Sequence, residues 1–176
     1  MVRRITLIGN GGSGKTTLAL RLGERLGLPV HHMDRIQWQP GWQPTPEAEV
    51  RDRLTEIIAG DRWIVDGLGQ LWTIEMRLPR AERILFLDFP LEHCRHWAMA
   101  RQREMATVAR SDATEGCLLE GMDERMMDVL GRVDREMMPR IREMLSVEEV
   151  RPRVVHVTEP QALEDVEAIV FELQPR

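Results

Sequence analysis

The sequence predicts an α/β fold in which a parallel sheet is covered by helices on both faces. Three observations carry this. Short apolar runs alternate with amphipathic helical stretches along the chain, and that alternation folds as βα units feeding one parallel sheet. A glycine-rich loop, Gly9-Asn10-Gly11-Gly12-Ser13-Gly14-Lys15-Thr16-Thr17, joins the first apolar run to the first helix. Acids close three of the runs, at Asp34, Asp66 and Asp88, and the carboxyl edge of such a sheet is where ligands sit.

The elements follow in order. Ile5-Thr6-Leu7-Ile8 reads as a buried strand, and Leu18, Leu22 and Leu26 make the apolar stripe of a first helix that runs from Gly14 to about Leu26, with Gly27 and Pro29 as stop signals. A second strand is expected at Val30 to Met33, ending in Asp34, followed by a proline- and tryptophan-rich loop, Trp38 to Pro44. Thr45 and Pro46 open the next helix, whose buried stripe is Val50, Leu54, Ile57 and Ile58 and which Gly60 closes. Arg62 to Gly67 is a third strand, Thr73 to Leu78 a short helix and Ile84 to Asp88 a fourth strand. Asp88 is expected to cap the helix that starts after Pro90 and runs to about Arg103.

The period is lost from Glu104 to Gly121 and returns from Met122 to Val147. There Met126, Val129, Val133 and Met137 form one face, and Pro139 must kink or split the helix. Val154 to Val157 is the fifth strand. Thr158 and Gln161 then make a capping box for a last helix that turns Leu163, Val166, Ile169 and Val170 inward.

The loop Gly9 to Thr17 matches G-x-x-x-x-G-K-[ST] at every fixed position. Its glycines let successive backbone N–H groups point into one hollow, which fits phosphate. Accident would produce the pattern in a chain of this length with a chance on the order of one in a hundred. Gly9, Gly11, Gly12, Ser13, Gly14, Lys15, Thr16 and Thr17 are therefore read as the cofactor-binding loop. Lys15 supplies a point charge for the terminal phosphates, Thr16 a hydroxyl for Mg²⁺, and the helix start its positive end. Phosphoryl transfer needs a carboxylate near the metal and often another near the acceptor. Asp66 is assigned to the magnesium shell and to the substrate side of the pocket, and Asp34 to the acceptor as a catalytic and substrate-binding acid.

Guanidinium groups from a lid offset the charge of the transferred phosphoryl group. Arg101, Arg103 and Arg110 flank or sit in the aperiodic stretch, and Arg101 and Arg110 are taken as catalytic. Arg77 and Arg80 are candidates for holding an acceptor phosphate, against the alternative of exposed helix-end cations. Trp38, Trp42 and Trp72 fit the core of a small insertion or a stacking surface.

Composition narrows the class. With 176 residues, 43% hydrophobic and 30% charged, the chain is a single domain, 1–176, with an acceptor-binding segment at 34–61 and a lid at 104–121. A net charge of −5 disfavours strong nonspecific nucleic-acid binding. No apolar run is long enough for a membrane span or signal peptide, so a cytoplasmic protein is expected. Cys94 and Cys117 lack zinc-ligand spacing and read as inert thiols, and His31-His32 point to opposite faces of a strand.

Together these residues resemble the nucleoside monophosphate kinase branch of P-loop proteins. Within it the chain is similar to the adenylate-kinase-related group labelled DNA topology modulation protein. The marks are Gly9 to Thr17, Met33-Asp34 with Trp38 and Pro40-Gly41-Trp42, Ile64 to Gly67, Arg77-Leu78, Leu85 to Pro90, and Arg110-Ser111-Asp112 with Glu115-Gly116-Cys117. The resemblance implies a P-loop NTPase three-layer sandwich, a five-stranded sheet in the order 2-3-1-4-5, ATP as donor and a short lid. It also implies that Arg101 lies against the adenine, as a cofactor-binding residue, and that Arg110 reaches the phosphates. Adenylate kinases follow the Asp-Gly of the third strand with Phe-Pro-Arg; here Leu68-Gly69-Gln70 follows, which removes their grip on AMP phosphate. Met138 stands before Pro139 where related chains carry arginine, so Arg135 or Arg142 is the candidate substitute. The expected function is ATP-dependent phosphoryl transfer to a nucleotide or a small hydroxyl-bearing metabolite. The rival is a nucleotide-dependent regulatory module acting on DNA topology or a protein partner.

Overall fold

The computed structural model describes residues 2–105 and 123–160, together with Val166 and Val170. Seven strands and seven α-helices are assigned among them. β1 (Arg4–Gly9) leads through the glycine loop into α1 (Lys15–Leu26); β2 (Val30–His32) is followed by α2 (Met33–Gln37). A small hairpin of β3 (Trp38–Gln39) and β4 (Gln43–Pro44) precedes α3 (Glu47–Ala59). Then come β5 (Trp63–Asp66), α4 (Leu71–Arg77), β6 (Arg83–Leu87) and α5 (Leu91–Met105), and finally α6 (Asp123–Arg132), α7 (Met138–Ser146) and β7 (Val154–Val157).

The main sheet is parallel, in the order β2-β5-β1-β6-β7. Counted over the strands of this sheet alone, that is the expected 2-3-1-4-5. The antiparallel β3–β4 pair is an addition the sequence reading treated as loop; Gly41 and Trp42 turn it with φ of 75° and 59°.

Strand residues alternate between two cores, because successive side chains leave a strand on opposite faces. Ile5, Leu7, Ile64, Leu85, Leu87 and Val157 pack with α1, Phe89, Cys94, Val166 and Val170 on one side. Ile8, Trp63, Val65, Ile84 and Phe86 pack with α2, α3, α4 and α7 on the other. The inward placement of Val166 and Val170 agrees with the expected last helix. Gln161, Leu163 and Ile169 lie outside the described residues.

The second long helix keeps part of its expected face, with Val133 and Met137 packed against the core. Pro139 has no N–H to bond a carbonyl one turn back, and a π-turn at Val133–Met137 precedes it, closed by the N–H of Met138 on the Val133 carbonyl. The extra residue in that turn shifts the phase of the helix. Leu130, Met138, Ile141 and Leu145 are buried, whereas Val129, expected inward, is 48% exposed.

Candidate functional site

β1 delivers the glycine loop to the carboxyl edge of the sheet, between β5 and β6. Two glycines there answer to different constraints. Gly14, at φ 83°, makes the left-handed turn into α1. Gly12, at φ 75°, has no room for a side chain: a Cβ would lie 2.1 Å from the Cys94 carbonyl oxygen of α5. At Gly11 a Cβ would meet Leu130 of α6 at 2.6 Å. The loop is thus packed under two helices as well as turned.

Asn10, which the motif leaves variable, is 2% exposed and ties the loop down. Its Nδ2 donates to the Leu130 carbonyl at 3.0 Å and its Oδ1 accepts from the Gly11 N–H at 2.8 Å. Lys15 is also buried, with Nζ donating to the Asn10 carbonyl at 2.8 Å and to Ser13 Oγ at 3.4 Å. Burial lowers the Lys15 pKa, Asp66 and Asp34 oppose that shift, and Arg101 adds to it. The N–H groups opening α1 have no carbonyl one turn below, so the lysine stands beside the positive end of that helix. Ser13 is buried beside them, and Thr17 is exposed one residue past Thr16.

Asp66 ends β5 and is 2% exposed. Its Oδ2 accepts from Thr16 Oγ1 at 2.9 Å, across a separation of 50 residues, and lies 3.0 Å from His32 Nδ1. Its Oδ1 is buried and has no hydrogen-bond partner among the described residues. An orphaned carboxylate oxygen next to a hydroxyl is an oxygen donor set suited to a small hard cation such as Mg²⁺. Among the described residues no group of three or more His, Cys, Asp and Glu gathers as a metal cage; a phosphate-bound Mg²⁺ needs none, because phosphates and water complete its shell.

Asp34 stands differently from the expected strand tip. β2 stops at His32, and Asp34 lies in the first turn of α2, partly exposed, within the electrostatic reach of Lys15. Arg101 is on α5, partly exposed, and its charge is also felt at Lys15. Arg110 lies outside the described residues, as do the Arg103 side chain and nearly all of the 104–121 segment.

Two sequence expectations are corrected. Arg77 is fully buried: its Nε donates to the Thr73 carbonyl at 3.0 Å, Nη1 to Thr6 Oγ1 at 3.2 Å and the Gly67 carbonyl at 2.9 Å, and Nη2 to the Leu68 carbonyl at 2.8 Å. It is not an exposed cation, and its donors are met by protein acceptors. It braces the backbone just after Asp66. Burial pulls its pKa down to about 10 while Asp66 opposes the fall, so it stays a cation at neutral pH.

Arg80 is exposed, as the helix-end alternative had it, and closes the end of α3 through the Ile58 and Ala59 carbonyls. Asp88 is not a helix cap. It takes a two-pronged hydrogen bond from Arg142 of α7 at 2.8 and 2.7 Å and lies 3.0 Å from His156 Nε2 of β7. Burial works against its anion, but these bonds win and hold its pKa below the ordinary carboxyl value.

The tryptophans divide. Trp38 and Trp42 meet edge to face at 5.8 Å within the hairpin, and Trp72 lies under the Arg51 guanidinium at 4.5 Å. Burial raises the Cys94 thiol to about 11, as expected of an inert cysteine.

Sequence reasoning missed two residues of this site, Asn10 and His32. Asn10 occupies a position the motif does not fix. The signal for His32 is the strand order itself: with β2 beside β5, His32 falls in register with Asp66.

No protein-family profile and no curated protein matches this chain. Solved structures do. Shikimate kinase from Acinetobacter baumannii, in complex with shikimate, is 17% identical with a TM-score of 0.58, covering 100% of this chain and 97% of that one. Shikimate kinase from Bacteroides thetaiotaomicron is 16% identical with a TM-score of 0.54, covering 97% and 99%. A sugar kinase from Janibacter is 15% identical with a TM-score of 0.52, covering 99% and 97%. At this identity the likeness establishes the fold alone, the α/β fold with a parallel sheet that these structures share. The DNA-topology label finds no support among these matches.

Proposed function

We propose that this chain is a kinase that transfers the terminal phosphoryl group of ATP, with Mg²⁺, to a small hydroxyl-bearing acceptor. The observation that carries this is the meeting of Thr16 with the half-satisfied Asp66 carboxylate beside the buried Lys15. In this reading the backbone amides of Gly12 and of Gly14 to Thr17 hold the phosphate tail, and Lys15 leaves the Asn10 carbonyl to pair with the terminal phosphates. Thr16 and Asp66 hold the Mg²⁺ shell, and the ion, when bound, neutralises charge on the phosphates. Asp34 orients the acceptor hydroxyl or accepts its proton. Arg101 and Arg110 stabilise the moving phosphoryl group, with Arg101 also beside the base, and the 34–61 segment closes the acceptor side.

Two points favour a hydroxyl acceptor over a nucleoside monophosphate. Arg77 and Arg80, the candidates for holding an acceptor phosphate, donate to backbone carbonyls. The fold neighbours are named for shikimate and for a sugar, both rich in hydroxyls.

The test is a coupled ADP-release assay over shikimate-like acids, sugars and nucleoside monophosphates. Turnover on a hydroxylic acceptor is expected, falling about 10²–10³-fold or more in Lys15→Ala. Tight ATP binding with no turnover on any acceptor defeats the proposal.

A further inference from the structure

His32 is the last residue of β2 and, with Asp66, one of the most enclosed polar pairs of the site: the two side chains are 8% and 3% exposed. Their backbones are in register on adjacent parallel strands, and Nδ1 lies 3.0 Å from Oδ2. A carboxylate only accepts hydrogen bonds, so the ring nitrogen facing it carries the proton. The same oxygen accepts the Thr16 hydroxyl at 2.9 Å, while Oδ1 receives nothing among the described residues. Asp66 is therefore loaded on one oxygen only.

That asymmetry matters because the terminal torsion of aspartate is a broad, nearly two-fold rotor. Donors on one oxygen fix which oxygen faces the site. A Thr16 proton committed to Asp66 also leaves the hydroxyl lone pairs pointing elsewhere, as a cation ligand requires. We propose that His32 is a positioning residue: its Nδ1–H pins Asp66 so that Oδ1 and the Thr16 hydroxyl oxygen are presented together to the divalent cation of the nucleotide complex. The role parallels the outer partners that orient metal ligands elsewhere. It rests on the assignment of Asp66 to the metal shell.

The experiment uses the full chain with Mn²⁺ and ADP, following bound Mn²⁺ by electron paramagnetic resonance. His32→Asn keeps an amide donor near the place of Nδ1, whereas His32→Gln carries its amide one bond further out. Mn²⁺ affinity in the ADP complex is expected to fall about 10–100-fold in His32→Gln and to stay within about threefold of wild type in His32→Asn. ADP affinity in EDTA should be alike in all three proteins. Equal Mn²⁺ affinity in His32→Gln and wild type overturns the proposal. So does an equal loss in both variants accompanied by equal loss of melting temperature, the mark of a purely structural residue.

A second measurement needs no variant to fold. The ¹⁵N spectrum of the metal-free wild type should show the His32 ring protonated at Nδ1, and a ring protonated at Nε2 alone refutes the contact. If wild type holds no Mn²⁺ with ADP, the assignment of Asp66 fails first and this proposal falls with it.

Discussion

Arg77→Lys is a conservative change on paper and a damaging one in this structure. The guanidinium reaches four acceptors from one buried fork: the Thr73, Gly67 and Leu68 carbonyls and Thr6 Oγ1. A single ammonium cannot span them. The Thr6 hydroxyl retains its bond to the Val65 carbonyl, and Thr73 lies within α4, so the Gly67 and Leu68 carbonyls decide the magnitude.

Each acceptor left in a dry site costs about 1–3 kcal/mol. Losing the better part of two sets the loss at about 3 kcal/mol, or a fall in melting temperature of about 6–12 °C for a chain of this size. The buried charge stays in lysine, so nothing is recovered from desolvation. Arg77→Met removes the charge as well, relieving the burial that pulls the guanidinium down to about 10, and should melt above Arg77→Lys. Thermal and urea melts followed by circular dichroism measure both, and the acceptor KM of whatever remains folded is measured beside them. If Arg77→Lys melts within about 2 °C of wild type while KM for acceptor rises tenfold or more, Arg77 is a substrate residue and the bracing argument is wrong.

Two other outcomes follow from the same geometry. Gly12 and Gly41 share a φ of 75°, but a Cβ at Gly12 would strike the Cys94 carbonyl at 2.1 Å and one at Gly41 meets nothing within 4 Å. Gly41→Ala should cost about 1–2 kcal/mol from backbone strain alone, and Gly12→Ala distinctly more, with loss of nucleotide binding by calorimetry; equal costs in urea melts would show that the Gly12 contact is soft.

The Asp88 carboxyl is held below its ordinary pKa by Arg142 and His156 after overcoming burial. Its contribution is therefore present above the ordinary carboxyl value and is lost as pH falls through the lower folded value. The stability gap between wild type and Asp88→Asn should be widest near neutral pH and close below about pH 4; a gap that does not change with pH would remove Asp88 from the account.

The glycine-rich loop was legible because its residues are contiguous. Backbone turn, charge and helix start all lie within Gly9 to Thr17, so local sequence specifies them with little help from the rest of the chain. The five parallel strands were legible for a related reason. Residues such as Ile5 to Ile8 and Ile84 to Leu87 are buried from both faces, and a run buried on both sides is apolar at nearly every position, Thr6 being the exception here. The placement of Asp66 at a strand end followed from the same run lengths.

Polar partners were not legible. His32 meets Asp66, Arg142 meets Asp88, and Arg77 meets Thr6 across separations of 34, 54 and 71 residues. Arginine near a helix end and histidine on an edge strand read alike whether they face water, a ligand or a carbonyl. Of the face expected over Met126, Val129, Val133 and Met137, Val133 and Met137 pack against the core and Val129 is exposed; periodicity assumes a constant helical phase, and the π-turn before Pro139 interrupts it.

The sequence by itself determined the glycine-rich loop, the strand-helix alternation and the acid at the end of β5, since each depends on neighbours along the chain. Only the tertiary structure decided that Asp66 faces Thr16 and His32, that Asn10 and the loop glycines are clamped under α5 and α6, and that Arg77 is spent inside the protein. Side-chain direction and burial are set by which strands and helices lie side by side, and that information is distributed over the whole fold.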